Sequence, residues 1–262
     1  MVHMSESALV IGATGNIGRH VVAGLRERGA PVRAVSRRDG FDLASPPDLA
    51  DAAESAGSVF LIWPFMTAEH AGAVADRLAG KRVVYVSAMS AETGFWGEVE
   101  TAIRGVTDRW TFLRPSGFAT NTLGWADQIK DTGTVRVPYP AARRSLIHER
   151  DIADVAVAAL LDDAHAGRTH VLTGPEAISQ TEQVRLIGAA TGRDLRVAEQ
   201  PRAEAREGML TWATPEWAET ALDYWASLAH TPEPVTRTVE ELTGRPARTF
   251  AAWARDHAAD FS

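Results

Sequence analysis

The 262-residue chain contains no cysteine. That excludes a disulfide scaffold and a cysteine-rich zinc site. It also has no excess of positive charge: 27 Lys and Arg face 34 Asp and Glu, for a net charge of −7. A nucleic-acid partner is not expected from such a balance. No apolar run approaches the roughly 20 residues needed to cross a bilayer, so no membrane partner is expected either. The residues before Ala8 are polar and the apolar run Ala8–Gly12 is short, which predicts no secretory leader and a cytoplasmic location. Repeats, low-complexity tracts and long linkers are absent as well.

What is present is a normal apolar content of 45% and an alternation of short β-rich runs with amphipathic ones. Strands are predicted at Ala8–Gly12, Val32–Ser36, Ser58–Trp63, Arg82–Ser87 and Trp110–Arg114. Helices are predicted near Ile17–Arg28, Pro47–Ala56, Ala68–Ala79 and Gly97–Gly105. Continuous apolar strands such as VFLIW and VVYVS belong in a sheet covered on both faces. Their alternation with helices predicts an α/β fold, a doubly wound parallel (Rossmann) sheet. A dinucleotide-binding domain is expected over 1–131. Residues 132–262 are expected to return to the sheet and form a smaller, mostly helical substrate domain. Within that part, Thr120–Lys130 leads into short strands at TVRVP and SLIH, Asp151 is expected to cap a helix over Ile152–Leu161, THVLTG reads as a strand, and Ser179 with Glu182 reads as a capping box.

The stretch LVIGATGNIGRHVVAGL, Leu9 to Leu25, carries three glycines spaced by three between a strand and a helix. In that context Gly12 allows the tight turn, Gly15 lets the backbone approach a pyrophosphate, and Gly18 lets the helix lie close to the sheet. The helix start then offers free N–H groups and a positive dipole to phosphate. At the end of the second strand, where an NAD site places a carboxylate on the ribose, this chain reads PVRAVSRR. Arg37 and Arg38 suit a 2′-phosphate, so the cofactor expected is NADP(H). Asp42 and Leu43 are expected where the next loop passes the adenine, and Trp63 and Pro64 near the pyrophosphate and nicotinamide ribose.

The segments GATGNIG, SRR, FDLASPPDLADAAESAGSVFLIWP, VVYVSA, GEVETAIRGVTDRWTFLRPSGFATN and SLIHERDIADVAVAALL together resemble the NmrA-like atypical short-chain dehydrogenase/reductases. The likeness runs along nearly the whole chain. It implies an NADP(H)-binding Rossmann domain with a small C-terminal domain closing over the nicotinamide. Carried onto this sequence, it implies cofactor contacts at Gly12, Thr14, Gly15, Asn16, Ile17, Arg37 and Arg38, a ribose contact at Ser87, and a pass beside the nicotinamide by Pro115 to Phe118. Two departures stand out. Tyr85, Tyr139 and Tyr224 are the only tyrosines, Lys81 and Lys130 the only lysines, and no Tyr has a Lys four residues on. The Tyr-x-x-x-Lys pair of many short-chain dehydrogenases is therefore missing. The lysine that many NmrA-like reductases carry before a Gly-Glu-Val-Glu run is Trp96 here.

Hydride transfer to a conjugated acceptor needs chiefly positioning. Proton donors open to the chain are His148, Tyr139 and Ser87; each also has a plain structural reading, His148 as a buried histidine, Tyr139 as packing and Ser87 as a ribose contact. Phe65, Met89, Trp96, Phe118, Trp125 and Trp212 are expected to line an aromatic substrate pocket, whereas Trp217 and Trp225 share a helical face and read as packing. Glu98 and Glu100 are two apart on a helix and diverge. The scattered histidines give no metal-ligand spacing, and no metal is expected. The leading reading is an NADPH-dependent oxidoreductase that reduces a small aromatic or conjugated carbonyl compound such as a quinone, enone or polyketide. A redox-sensing NADP(H)-binding regulator and an isomerase or epimerase with tightly held NADP are the alternatives. The partner expected is a small molecule, and the protein a monomer or homodimer.

Overall fold

A computed structural model of the chain describes residues 7–92 and 94–262. Two compact units interleave along the sequence. The first takes the described residues through Ser116, then Glu149–Leu172 and Arg237–Pro246; the second takes Gly117–His148, Thr173–Thr236 and Ala247–Ser262. One cut near residue 131 does not describe this, because the chain leaves the sheet and comes back to it.

In the first unit six strands, Ser7–Ile11, Val32–Val35, Ala56–Ile62, Arg82–Val86, Trp110–Pro115 and Arg168–Leu172, make one sheet in the order second, first, third, fourth, fifth, sixth. Every pairing is parallel. Parallel neighbours need crossovers, and the helices Gly18–Glu27, Pro46–Ala53, Ala71–Arg77, Phe95–Arg104 and Glu149–Leu161 supply most of them. Apolar runs read as doubly covered are so: Val59, Phe60, Leu61, Val83, Val84 and Tyr85 are all fully buried. Strand order reverses at the first strand, which puts the ligand crevice of such sheets at the carboxyl ends of the first and third strands.

The helix Glu149–Leu161 starts two residues before the expected cap, so Asp151 lies inside its first turn, buried, and is not the capping residue. A carboxylate there still favours the helix dipole. This helix crosses the first one closely: a Cβ on Gly24 would stand 3.1 Å from Val157 Cγ2. Its neighbour Thr238–Thr243 is tied back through Arg245 and Asp154, 3.1 Å apart.

The second unit is built from two small pairings. Thr134–Val137 runs parallel to Arg196–Glu199, and Arg143–Arg144 runs antiparallel to Ile178–Ser179. The predicted strand SLIH is instead extended chain with a single bridge, Phe118 to Ile147. The helix expected over Thr120–Lys130 begins as a 3-10 turn, Ala119–Trp125, and becomes α-helical at Ala126–Thr132. Ser179 caps Gln180–Thr191 through the Glu182 N–H at 3.1 Å, as its spacing predicted. Ile129, Val135, Ile187, Trp253 and Phe261 form the apolar centre here.

One core group works against the fold. The Tyr85 hydroxyl is enclosed in the first unit and meets no hydrogen-bond partner among the described residues. Burial, and second the Glu100 charge, push its pKa above the usual tyrosine range. An unpaired buried hydroxyl costs about 1–3 kcal/mol. Tyr85→Phe keeps the edge contact with Phe112, whose ring centroid is 6.1 Å away, and is expected to raise unfolding free energy by about 1 kcal/mol. Urea titration checks it, and a drop in stability would show that the hydroxyl is satisfied.

Candidate cofactor and hydride-transfer site

The glycine turn opens where the first strand ends. Gly12 sits at φ +81°, a conformation glycine adopts without strain. Its N–H and that of Ala13 donate to the Val35 carbonyl at 3.0 and 3.1 Å, which ties the turn to the second strand. Thr14, Gly15 and Asn16 are exposed, while Ile17 and Gly18 are buried. A Cβ on Gly15 would stand 3.2 Å from the Gly12 carbonyl oxygen; one on Gly18 would collide with that oxygen and stand 2.8 Å from the Gly12 carbonyl carbon. The helix Gly18–Glu27 has no side-chain cap and no acidic residue in its first turn. A bare helix start under an exposed glycine turn has the N–H groups and dipole that suit an anion. Gly18→Ala presses a methyl against backbone that cannot yield. It is expected to cost about 1–3 kcal/mol of stability and to abolish tight dinucleotide binding, read by thermal unfolding and by cofactor titration.

The second strand ends in a 3-10 turn, Arg37–Asp39. Arg37 and Arg38 are both exposed, and neither makes an ion pair among the described residues. The nearby carboxylate, Asp39, is occupied: the buried Ser36 hydroxyl donates to its Oδ2 at 2.6 Å. Two guanidiniums without an ion pair among the described residues suit a phosphate. Asp42 accepts the Ala44 N–H at 2.9 Å and so shapes its own loop, while Leu43 is buried in the sheet's core cluster. Trp63 is 8% exposed, and its indole N–H donates to the Thr67 carbonyl at 2.8 Å. It braces the loop after the third strand, in which Pro64 is exposed along with Met66, Thr67 and Glu69.

Ser87, just beyond the fourth strand, is buried and donates to Glu100 Oε1 at 2.7 Å. Glu100 has no exposed surface. Arg114 grips it bidentately, Nε to Oε1 at 2.9 Å and a terminal nitrogen to Oε2 at 2.7 Å, and Arg104 reaches Oε2 at 3.2 Å. That grip holds the Arg114 pKa above its ordinary value. The Ser87 proton is thus committed to a carboxylate, which argues against Ser87 as a proton donor. Glu98, two residues earlier on the same helix, is exposed. Glu100 itself was missed as the hub. Its signal is in the sequence: Trp96, Val99, Glu100 and Ile103 form a helical stripe, and a carboxylate in an apolar stripe must have a partner.

His148 is 1% exposed, with Nε2 3.4 Å from Asp256 Oδ2 in the second unit. An enclosed imidazole cannot meet a substrate, so the general-acid role expected of it gives way to a structural one. Tyr139 takes φ +53°, the only non-glycine residue with positive φ among those described. Gln180 donates to the Pro138 and Tyr139 carbonyls at 2.6 and 3.1 Å, and the Tyr139 hydroxyl accepts from Arg202 at 3.1 Å.

The aromatic side chains expected around a substrate fall in both units. Phe65 meets Trp63 edge-on at 5.2 Å, and Trp96 lies 4.2 Å from Phe95, half-buried on the sheet's core. Met89 is held by its N–H to the Pro115 carbonyl at 3.0 Å. In the second unit Phe118 is half-buried, Trp125 packs on the unit's core, and Trp212 is exposed with its ring 5.0 Å from Trp217. A cavity of about 650 Å³ in the first unit is lined by Glu92, Glu98, Glu100, Arg104 and Arg114 together with Ala91, Gly94, Gly97 and Thr101, and holds none of the six aromatic and methionine side chains expected around a substrate. Among the described residues no group of His, Asp and Glu could hold a metal ion, and no helix is long and apolar enough to cross a membrane.

No family model matches the chain. It is 36% identical to a (4-alkanoyl-5-oxo-2,5-dihydrofuran-3-yl)methyl phosphate reductase of Streptomyces griseus, over 97% of this chain and 99% of that one. The chain belongs to the NmrA-like atypical short-chain dehydrogenase/reductases. A second family relative, an NAD(P)H azoreductase of Xenophilus azovorans, is 33% identical over 97% of this chain and 98% of that protein. An NADPH-dependent quinone oxidoreductase from Escherichia coli, solved with NADPH, shares the fold with a TM-score of 0.74 at 18% identity, covering 95% of this chain and 99% of that one. The Citrobacter triphenylmethane reductase, solved with NADP(H), has a TM-score of 0.74 at 17% identity, over 96% and 99%. The family's fold thus accounts for the glycine turn and the strand order.

Proposed function

We propose that the protein is an NADPH-dependent reductase of a small conjugated carbonyl compound. The observation that carries this reading is the exposed Arg37–Arg38 pair after the second strand, which makes no ion pair among the described residues, with Asp39 accepting from Ser36. Support for the acceptor class comes from the two family relatives, both named as reductases and one for an alkanoyl dihydrofuranone. The residues present fit the cofactor: Gly15 and Gly18 let the helix start lie against the Gly12 backbone where a Cβ would not fit, and Arg37 and Arg38, without an ion pair among the described residues, suit a 2′-phosphate. When bound, NADPH supplies the hydride. Pro115 to Phe118 and Ser87 orient the nicotinamide end, Ser87 as an acceptor because Glu100 holds its proton. With Ser87 committed and His148 enclosed, the proton sources left are water and Tyr139, whose hydroxyl accepts from Arg202.

A redox-sensing role draws on the same two facts, since neither side chain is left to donate a proton. Tryptophan-fluorescence titration with NADPH and NADH, followed by NADPH oxidation with menadione and an acyl butenolide, decides. Tight, NADPH-selective binding with acceptor-dependent oxidation is expected. Selective binding with no turnover of either acceptor favours the sensor, and equal or absent binding of both nucleotides overturns the cofactor assignment.

A further inference from the structure

The charged cavity of about 650 Å³ lies wholly within the first unit. Its volume falls in the range of small-molecule sites, about 300–1,000 Å³. Arg104 and Arg114 both line it, and both are anchored on Glu100. Glu100 itself is saturated. A carboxylate offers about four lone-pair sites. Here they are taken by the Ser87 hydroxyl, Arg114 Nε, an Arg114 terminal nitrogen and an Arg104 terminal nitrogen. Two guanidiniums therefore share one buried negative charge, and one positive charge is left over in the wall.

Both arginines keep donors for a further partner. The second terminal nitrogen of Arg114 stands 3.9 Å from the Glu92 carboxylate, beyond hydrogen-bond reach. Arg104 makes no hydrogen bond through Nε or its other terminal nitrogen among the described residues. Its plane is nonetheless fixed. Arg104 Cζ lies 4.9 Å from the Trp110 ring centroid and 4.7 Å from that of Phe112, and those two rings stack at 4.4 Å. The other charges on the cavity, Glu92 and Glu98, are exposed, and the Glu92 side chain at 87% is screened by water. Helix Phe95–Arg104 starts at the same cavity, from Gly94 and without a side-chain cap, so its positive end adds to the arginines.

We propose that this cavity is an oxyanion site in which Arg104 and Arg114 hold a carboxylate or phosphate between them. Fixed guanidinium forks with spare N–H groups suit such oxygens. An ammonium group would find no lone pair left on Glu100 and would face two cations. The site also adjoins the end of the fourth strand, because the Ser87 hydroxyl donates to Glu100 at 2.7 Å. That placement assigns the anion to the acceptor, a conjugated carbonyl compound with an acidic arm. The assignment to the acceptor rests on the reductase reading above; the oxyanion site does not. Free phosphate is the other source of the same chemistry.

The test uses the full chain saturated with NADP⁺, so that the nucleotide's own phosphate contacts are filled. Inorganic phosphate is titrated by calorimetry. In parallel, NADPH-dependent reduction is measured for menadione carrying a propanoate arm and for its methyl ester. The wild type is expected to bind phosphate and to favour the acid over the ester about tenfold in kcat/KM. Arg104→Met, which keeps a stem over Trp110 and Phe112, is expected to weaken phosphate binding about 10- to 100-fold and to erase the preference for the acid. Glu92→Gln is expected to act in the opposite direction, tightening phosphate about 2- to 5-fold by removing a like charge. A purely structural Arg104–Glu100 contact predicts no such gain. Glu92 is exposed, so this variant decides the matter should Arg104→Met fail to fold. Phosphate binding with equal turnover of acid and ester upholds the site and assigns it to a free oxyanion. Absent phosphate binding by the wild type, or binding that neither substitution moves, overturns the proposal. Arg104-dependent phosphate binding by a protein that reduces neither quinone upholds the site and overturns the reductase reading.

Discussion

Glu100→Ala is expected to lower the unfolding free energy by about 3–5 kcal/mol, the range for breaking a buried ion pair by removing one partner. Glu100 is fully buried and gathers Arg114, Arg104 and the Ser87 hydroxyl. Without it, Arg114 keeps a guanidinium at 17% side-chain exposure whose remaining carboxylate neighbour, Glu92, stands 3.9 Å off and is itself exposed. Ser87 loses the acceptor for its proton. Replacement by a well-packed apolar group would be milder only if Arg114 were replaced as well, because the cost lies in the uncompensated charge. Glu98→Ala, two residues away on the exposed side, is expected to stay within about 0.5 kcal/mol. Urea unfolding followed by tryptophan fluorescence measures both. A Glu100→Ala cost below about 1 kcal/mol would mean that water reaches and solvates the arginines. The double variant with Arg114→Ala is expected to be markedly non-additive, since the two side chains form one network.

Arg37→Ala and Arg38→Ala are each expected to weaken NADPH binding about 10- to 100-fold, from the 1.5–3 kcal/mol of a hydrogen bond to a charged group. NADH binding should hardly move, because NADH lacks the 2′-phosphate. Both side chains are exposed, so stability is expected to change by less than about 0.5 kcal/mol. Exposure also means screening: the wild-type preference for NADPH should shrink as salt rises. Equal losses for the two nucleotides would place the arginines on the shared pyrophosphate. Ser36→Ala offers a cross-check, since it frees Asp39; a shift toward NADH is the expected direction.

The parts of the site that were readable in the sequence are those set by backbone demands. Gly18 has to be glycine because its Cβ would run into Gly12, and that requirement prints as a three-residue spacing. The arginines follow the second strand by adjacency alone. His148, Ser87 and Glu100 were harder, since their roles turn on what faces them. His148 sits in SLIH, a segment that looks like a loop-side strand, yet it is enclosed beside Asp256, more than a hundred positions away. Glu233, which accepts from Arg144, follows Pro232 in a stretch with no periodicity to mark it.

The sequence by itself determined the parallel sheet, the double burial of its central strands, the glycine turn and the place of the two arginines after the second strand. These follow from periodicity, glycine sterics and the order of elements, all local along the chain. Only the tertiary structure decided which unit each segment joins, which proton donors are already committed, and which cations are left with donors to spare. Those outcomes depend on pairings such as Ser87 with Glu100 and Arg144 with Glu233, 13 and 89 residues apart. A hydrogen bond depends on distance in space, and separation along the chain carries no record of it.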